Sequence, residues 1–101
     1  MILTDENFDK EISEAKLPVI VDFYADWCGP CRTLGPILEK IAKEMEDKVI
    51  LAKVNVDSAK IASSKFEVDR IPMVMLFKDN KAISGFIGVA EEADIKKWLN
   101  E

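Results

Sequence analysis

The sequence predicts an α/β protein with one mixed central β-sheet that carries helices on both faces. Strand and helix patterns alternate along the chain. A strand-helix-strand half precedes a strand-strand-helix half, which implies parallel pairing first and antiparallel pairing later. At 101 residues, 49% of them hydrophobic and 33% charged, the chain is long enough to bury one core without disulfide staples. We therefore expect a single domain over residues 1–101.

The first half of the chain has helix, strand and helix patterns in turn. Thr4 or Asp5 can cap a first helix over residues 7–16, whose apolar positions are Phe8, Ile12 and Ala15. Residues 19–24 are β-branched, aromatic and apolar on both faces except at one position, which is typical of a buried central strand. A second helical stripe then runs to residues 46–48 through Leu34, Leu38, Ile41 and Met45, with Pro36 expected to kink it.

The second half contains three further strands and two helices. Residues 49–56 form a strand pattern, and Ser58 can cap a short helix that carries Ile61, Ala62 and Phe66. Residues 73–77 and 82–87 read as an antiparallel hairpin joined by Asp79-Asn80, because Asn tolerates the left-handed backbone of a tight turn. The last helix has acidic residues early and Lys96 and Lys97 late, as its dipole favours.

Composition excludes several classes of function. No apolar run approaches the ~18 residues that span a bilayer, and the N-terminus has no secretory signal pattern. We therefore expect a cytoplasmic protein that does not bind membranes. The net charge of −5 comes from acids spread along the chain, without a basic block, so nucleic-acid binding is not expected.

Cys28-Gly29-Pro30-Cys31 lies between the buried strand and the long helix, where open α/β sheets usually place a site. If Cys28 opens the helix, unpaired N–H groups and the helix dipole favour its thiolate, and Cys31 lies on the same face. Pro30 suits the first helical turn, and Gly29 leaves room for a partner backbone. The pair predicts redox chemistry.

Two other interpretations of the cysteines stay open at this point. Half of a zinc or iron-sulfur site would need four ligands, whereas the chain has no His and no second cysteine pair. Two structural cysteines would be expected deep in a core rather than beside Gly and Pro at a helix start.

Asp22 is the least expected residue of its strand. Burying a carboxylate among valine, isoleucine and phenylalanine is costly or forces its pKa upward. A raised pKa would suit Asp22 to exchange a proton with Cys31, and without any His it is the best candidate base. The alternative is that Asp22 simply pairs with Lys53 across neighbouring strands.

The stretch from Val21 to Cys31, with its Trp27-Cys28-Gly29-Pro30-Cys31 signature, closely resembles the active site of the thioredoxin family. The resemblance extends over nearly the whole chain, at Phe8, Pro36, Lys53, Asp57, Ile71, Pro72, Phe77 and Gly88. It implies the thioredoxin fold and general protein-disulfide reductase activity. Three positions depart from the common family pattern and put partner preference in question: Tyr24, Met73 and Asn80.

The resemblance also implies roles for individual residues. Cys28 would be the attacking thiolate, Cys31 the resolving thiol, and Asp22 the family's buried aspartate. Lys53 would tune that carboxylate and stabilise anionic sulfur, unless it is an ordinary lysine at the sheet edge. A redox disulfide between Cys28 and Cys31 is expected.

A client-binding groove is implied in the same way. Pro72 would be a cis proline beside the disulfide, with the backbone of Ile71 pairing with an extended client and Gly88 completing the groove. The alternative at this segment is a plain turn before a strand. Trp27 would contact client proteins, although an aromatic residue at a strand end is more often part of a core.

The expected partners are disulfide-containing client proteins and a separate thioredoxin reductase, flavin- or ferredoxin-linked. The chain has no Gly-rich dinucleotide fingerprint, so no bound cofactor is expected, and a monomer is the simplest state. Two rival functions remain at this point. One is an oxidase or isomerase, against which the Gly29-Pro30 dipeptide argues. The other is a docking module that uses the apolar rim around Trp27, Pro72 and Val89.

Overall fold

The computed structural model describes residues 1–101 as five strands and four helices. In chain order these are β1 (Ile2–Leu3), α1 (Phe8–Glu14), β2 (Val19–Tyr24), α2 (Gly29–Glu44), β3 (Ile50–Asn55), α3 (Lys60–Lys65), β4 (Met73–Lys78), β5 (Lys81–Ile87) and α4 (Glu92–Leu99). One mixed sheet has the strand order β1-β3-β2-β4-β5. The predicted fold class is confirmed.

The central strand β2 is paired on both sides. It runs parallel to β3, with Asp22 opposite Lys53, and antiparallel to β4, with Asp22 opposite Val74. The hairpin between β4 and β5 turns at Asp79 and Asn80, whose φ angles of 52° and 65° lie in the left-handed region. The antiparallel hairpin at these two residues was predicted from the sequence and is confirmed.

Each face of the sheet carries its own hydrophobic core. On one face, α1 and α3 pack over side chains of β1, β2, β3 and β4, in a cluster that includes Leu3, Phe8, Ile12, Phe23, Ala62 and Phe77. On the other face, α2 and α4 pack over Ile20, Val74 and Leu76 with Leu34, Leu38, Ile41 and Ile95. Alternation along β2 therefore directs Asp22, like Ile20, toward the α2 face.

Several predicted boundaries and caps differ from the structure. The strand β1 was missed, and α1 is shorter than residues 7–16 because its last turn opens before Pro18. Asp5 does not cap α1. Its carboxylate accepts the N–H groups of Ile61 and Ala62 at 3.3 and 2.9 Å, so it caps α3 from across the chain. The prediction that Ser58 caps α3 is also wrong, because the N-cap residue of this helix is Ala59.

None of the four helices combines the length and apolar character that a bilayer-spanning helix requires.

Candidate active site

Cys28 and Cys31 lie at the start of α2, a short turn after the C-terminal end of β2. Cys28 is the N-cap residue of the helix, with φ −89° and ψ 111°, and Pro30 lies in the first helical turn. The two cysteines form a disulfide with their Cα atoms 5.3 Å apart, and each is only 5% exposed. The helix start thus holds two buried sulfur atoms together, next in the chain to the exposed residues Trp27, Gly29 and Pro30.

The environments of the two sulfur atoms differ. The Sγ atom of Cys28 accepts the backbone N–H of Cys31 at 3.2 Å. That N–H belongs to the first turn of the helix, whose donors have no intrahelical acceptor. The positive end of the helix dipole acts at the same point. Both effects stabilise negative charge on the sulfur of Cys28.

The loop before β4 reaches the two cysteines and is bonded to the residue that follows β5. The Ile71–Pro72 peptide bond is cis, as the family resemblance implied. Ile71 packs against the cluster formed by Ala25 and the two cysteines. The carbonyl of Pro72 accepts the N–H of Gly88 at 2.9 Å, and Gly88 has a φ of 90°, which favours glycine. Ile71 therefore lies beside the disulfide, and the next residue, Pro72, is linked to Gly88 by a backbone hydrogen bond.

Trp27 is a surface residue, so the alternative that it belongs to the core is wrong. Its side chain is 69% exposed, and its indole Nε1 donates a hydrogen bond to Oδ2 of Asp57 at 2.8 Å. The neighbouring Gly29 is exposed and has no atom near the position of a side chain. An exposed aromatic ring and open backbone next to Cys28 leave room for a docking protein.

Asp22 is buried without a full set of hydrogen bonds. It is 1% exposed, and its Oδ1 atom has no hydrogen-bond partner. Burial raises the pKa of Asp22 from 3.8 to about 6, against the opposing effect of Lys53, and Glu39 adds a smaller increase. The carboxyl group therefore changes protonation not far below neutral pH.

Lys53 does not form the direct ion pair that one interpretation of the sequence required. All four salt bridges of the structure lie elsewhere. Its Nζ atom lies 4.8 Å from the centre of the Tyr24 ring, a cation-π contact. It is not a lysine at the sheet edge either, because β3 lies between β1 and β2.

A cavity of about 250 Å³ lies between the first half of α2 and the ends of β2 and β3. Its lining includes Cys31, Gly35, Glu39, Lys53 and Tyr24, together with exposed residues that connect it to solvent. At roughly 30 Å³ per molecule, water fits in this volume. The cavity is therefore large enough to hold water next to Cys31.

Three residues near the site were given no role in the chemistry from the sequence. Asp57 accepts the hydrogen bond of Trp27, Tyr24 contacts Lys53, and Glu39 lines the cavity. The spacing of α2 could have indicated Glu39, because it follows Cys31 at twice the four-residue spacing of one helix face, whereas Asp57 and Tyr24 stood out only through the family resemblance. The other two contacts depend on side-chain directions that spacing does not give.

A dithiol at a helix N-terminus, a buried carboxylate on the adjacent strand and a cis-proline loop beside the sulfur atoms define a thiol-disulfide oxidoreductase. The zinc and iron-sulfur alternatives need further ligands, and no group of three or more Cys, Asp or Glu side chains is arranged to hold a metal ion.

The chain belongs to the thioredoxin family. The family model described as Thioredoxin matches residues 1–101. A thioredoxin of Rickettsia typhi is 42% identical over 99 residues, which cover 98% of this chain and 94% of the relative. Thioredoxins of Buchnera aphidicola (42%, covering 97% and 90%) and Synechococcus elongatus (thioredoxin 1; 35%, covering 98% and 92%) are also similar. Family and cysteine pair together establish dithiol-disulfide exchange as the activity, with disulfide-containing client proteins and a reductase as the implied partners.

Proposed function

We propose that Cys28 is the nucleophile and Cys31 the resolving thiol of a general protein-disulfide reductase. The observation that carries this assignment is the hydrogen bond from the Cys31 N–H to the Cys28 sulfur at the N-terminus of α2. A thiolate is the reactive form of cysteine, and this position stabilises the thiolate of Cys28. The opposite order of attack would leave that stabilisation unused.

The reaction has two exchange steps. The Cys28 thiolate attacks one sulfur of a client disulfide, so a Cys28-client bond forms, the client disulfide breaks, and the departing client thiolate takes a proton. Cys31 then loses its proton and attacks the sulfur of Cys28. The Cys28–Cys31 disulfide forms, the Cys28-client bond breaks, and the second client sulfur leaves as a thiolate that takes a proton. The client thereby gains the two electrons that the cysteine pair loses.

Asp22 accepts the proton of Cys31 in the second step, directly or through water in the cavity that Cys31 lines. A general base works best when its pKa lies near the operating pH. With a pKa of about 6, Asp22 is mostly ionised at neutral pH and still basic enough to accept a proton. Lys53 opposes that rise in pKa and, because it lines the same cavity as Cys31, adds positive potential on that side of the site.

The client is held by the surface around the disulfide, where Trp27, Gly29 and Pro30 are exposed, Ile71 and Gly88 are partly buried and Pro72 is buried. Trp27, Gly29 and Pro30 provide one side, while Ile71, Pro72 and Gly88 provide the other. An extended client segment pairs with the backbone of Ile71, in the manner of strand addition. This recognition uses main-chain groups, which suits a reductase with many different clients.

The protein acts as one domain over residues 1–101, as a monomer in the cytoplasm, and binds neither nucleic acid nor membranes. Its oxidised form is reduced by a separate reductase, flavin- or ferredoxin-linked, because the chain has no dinucleotide-binding fingerprint of its own. No bound cofactor takes part in the exchange steps proposed for this chain.

Trapping the mixed disulfide tests the order of attack. In Cys31→Ser the first step proceeds and the second cannot, so a non-reducing gel should show a covalent adduct between the variant and a disulfide-containing client. The matched variant Cys28→Ser should give little adduct. Equal trapping by both variants, or trapping by Cys28→Ser alone, would contradict the assignment.

A further inference from the structure

We propose that Glu39 is a positioning residue for the resolving step: its carboxylate lies on the wall of the cavity that Cys31 and Lys53 line and acts on Asp22 from there as a charge. The proposal rests on the role of Asp22 proposed above. It assigns a function to an exposed acid of α2 that belongs to neither the cysteine motif nor the client-binding surface.

Helix geometry places Glu39 over the reacting groups. Cys31, Gly35 and Glu39 follow one another at four-residue intervals in α2, so they lie along one face of the helix. All three line the same cavity. On the sheet below, Asp22 points toward α2, because its neighbour Ile20 packs against the buried side chains of that helix.

Gly35 leaves the space between these groups open. A side chain at this position would begin 3.5 Å from the Nζ atom of Lys53, in ordinary contact with it. Because glycine stands there, no side chain of the intervening helical turn fills the cavity between Cys31 and Glu39. Glu39 itself is exposed and has no salt-bridge partner, so its charge is not neutralised by a neighbouring cation.

The charged and titratable groups around Asp22 come from three elements and one connecting loop. Lys53 lies opposite Asp22 on β3, and Val74, which is uncharged, lies opposite it on β4. The helix α2, toward which Asp22 points, carries Glu39 and Cys31 on the wall of the cavity that Lys53 also lines. The remaining titratable groups of the cavity lining are Tyr24, Asp26 and Arg32. Among all of these, Lys53 lowers the pKa of Asp22 and Glu39 raises it.

The effect of the Glu39 charge on Asp22 has the direction that favours the resolving step. A negative charge on Glu39 disfavours a second negative charge on Asp22, so Asp22 becomes a stronger base. A stronger base that is still ionised at neutral pH accepts a proton from Cys31 more readily. Burial is the main cause of the raised pKa of Asp22. Lys53 lowers this pKa, and Glu39 offsets part of that decrease.

Two substitutions at this exposed site test the proposal without disturbing the core. Glu39→Gln removes the charge and keeps the shape, and Glu39→Lys reverses the charge. The pKa of Asp22 is followed in the oxidised protein by NMR of its carboxyl carbon. We expect it to fall by roughly 0.3 pH unit in Glu39→Gln and by about twice that in Glu39→Lys.

The control is Glu46→Gln, which makes the same change of net charge at an exposed position beyond the end of α2. It should leave the pKa of Asp22 within about 0.1 pH unit of the parent value, because distant exposed charges are screened. An unchanged pKa in both Glu39 variants, or an equal shift in Glu46→Gln, would overturn the proposal.

This titration does not depend on catalysis, so failure of the two proposals can be told apart. If Asp22→Asn leaves the resolving step unchanged, Asp22 is not the base, and the role of Glu39 in that step falls with it. If Asp22→Asn slows the step but Glu39→Lys moves neither the pKa of Asp22 nor the pH profile of the rate, only the proposal for Glu39 is wrong.

Discussion

Lys53 lies directly opposite Asp22 on the neighbouring parallel strand, yet the two side chains form no salt bridge. The ammonium group lies instead 4.8 Å from the centre of the Tyr24 ring. Asp22 therefore keeps an unpartnered oxygen, and the effect of burial on its pKa exceeds the effect of the cation. A direct pair would have favoured the ionised carboxylate and made Asp22 a weaker base.

Replacing the Tyr24 ring should change the pKa of Asp22. In Tyr24→Leu the cation-π contact is lost, and Lys53 becomes free to approach the carboxylate. We expect the pKa of Asp22 to fall by about 1 unit, the lower end of the effect of a close opposite charge. Tyr24→Phe keeps the ring and should leave the pKa nearly unchanged. Carboxyl-carbon NMR measures both, and equal shifts in the two variants would argue against the role of the ring.

Removing the buried charge of Asp22 should stabilise the protein at neutral pH. The pKa of Asp22 is about 6 in the folded protein against 3.8 unperturbed, so the folded state binds more protons between these values. Stability therefore falls as pH rises through this window, by about 3 kcal/mol in total. Asp22→Asn should raise the free energy of unfolding at neutral pH by about 1 to 3 kcal/mol, since the amide still has a burial cost.

Denaturant unfolding at several pH values checks this prediction. Below about pH 3.5 both proteins are neutral at position 22, so the stabilisation should largely disappear. The control Asp47→Asn removes an exposed acid from the turn after α2 and should change stability little at any pH. A gain in Asp22→Asn of the same size at acid and neutral pH would show that the charge is not its cause.

The same substitution should slow the resolving step. Without Asp22, the proton of Cys31 must leave to water, and we expect release of client from the mixed disulfide to slow by about tenfold or more at neutral pH. The difference should narrow at higher pH, where Cys31 ionises without assistance. Rapid-quench measurements under single-turnover conditions resolve this step from the first attack. A deficit that stays constant with pH would indicate a structural effect.

The cap that Asp5 provides to α3 should be measurable in stability. Asp5→Ala removes the acceptor of the Ile61 and Ala62 N–H groups, and loss of a helix cap costs about 0.5 to 2 kcal/mol. The neighbouring exposed acid gives a control, because Glu6→Ala removes equal charge without a capping bond. Urea unfolding of the two variants at neutral pH should separate them. Equal stability would contradict the cap.

Local patterns predicted the elements that local interactions decide. The bounds of β2 agree with residues 19–24 because every side chain there is β-branched, aromatic or Asp22. The hairpin followed from Asp79 and Asn80, which tolerate left-handed backbone. The strand β1 was missed because two residues carry no periodicity, and only its pairing with β3 makes it a strand.

The candidate site also combines features that the sequence predicts with features that it does not. The placement of Cys28 at a helix N-terminus and the burial of Asp22 follow from residue type and position. The absence of an ion pair between Lys53 and Asp22 does not follow from the sequence. It depends on whether the long lysine side chain turns toward the carboxylate or toward the Tyr24 ring. The cis bond before Pro72 came only from the family resemblance, since most prolines are trans.

The central claim is that the Cys28–Cys31 pair works as a reductant of protein disulfides. Its reduction potential at neutral pH, measured by equilibration with redox buffers and quantification of free thiols, tests this most directly. We predict a value near the roughly −270 mV that is typical of thioredoxins. A value of about −180 mV or higher would instead indicate an isomerase or oxidase, and the absence of a reversible disulfide would contradict the exchange mechanism altogether.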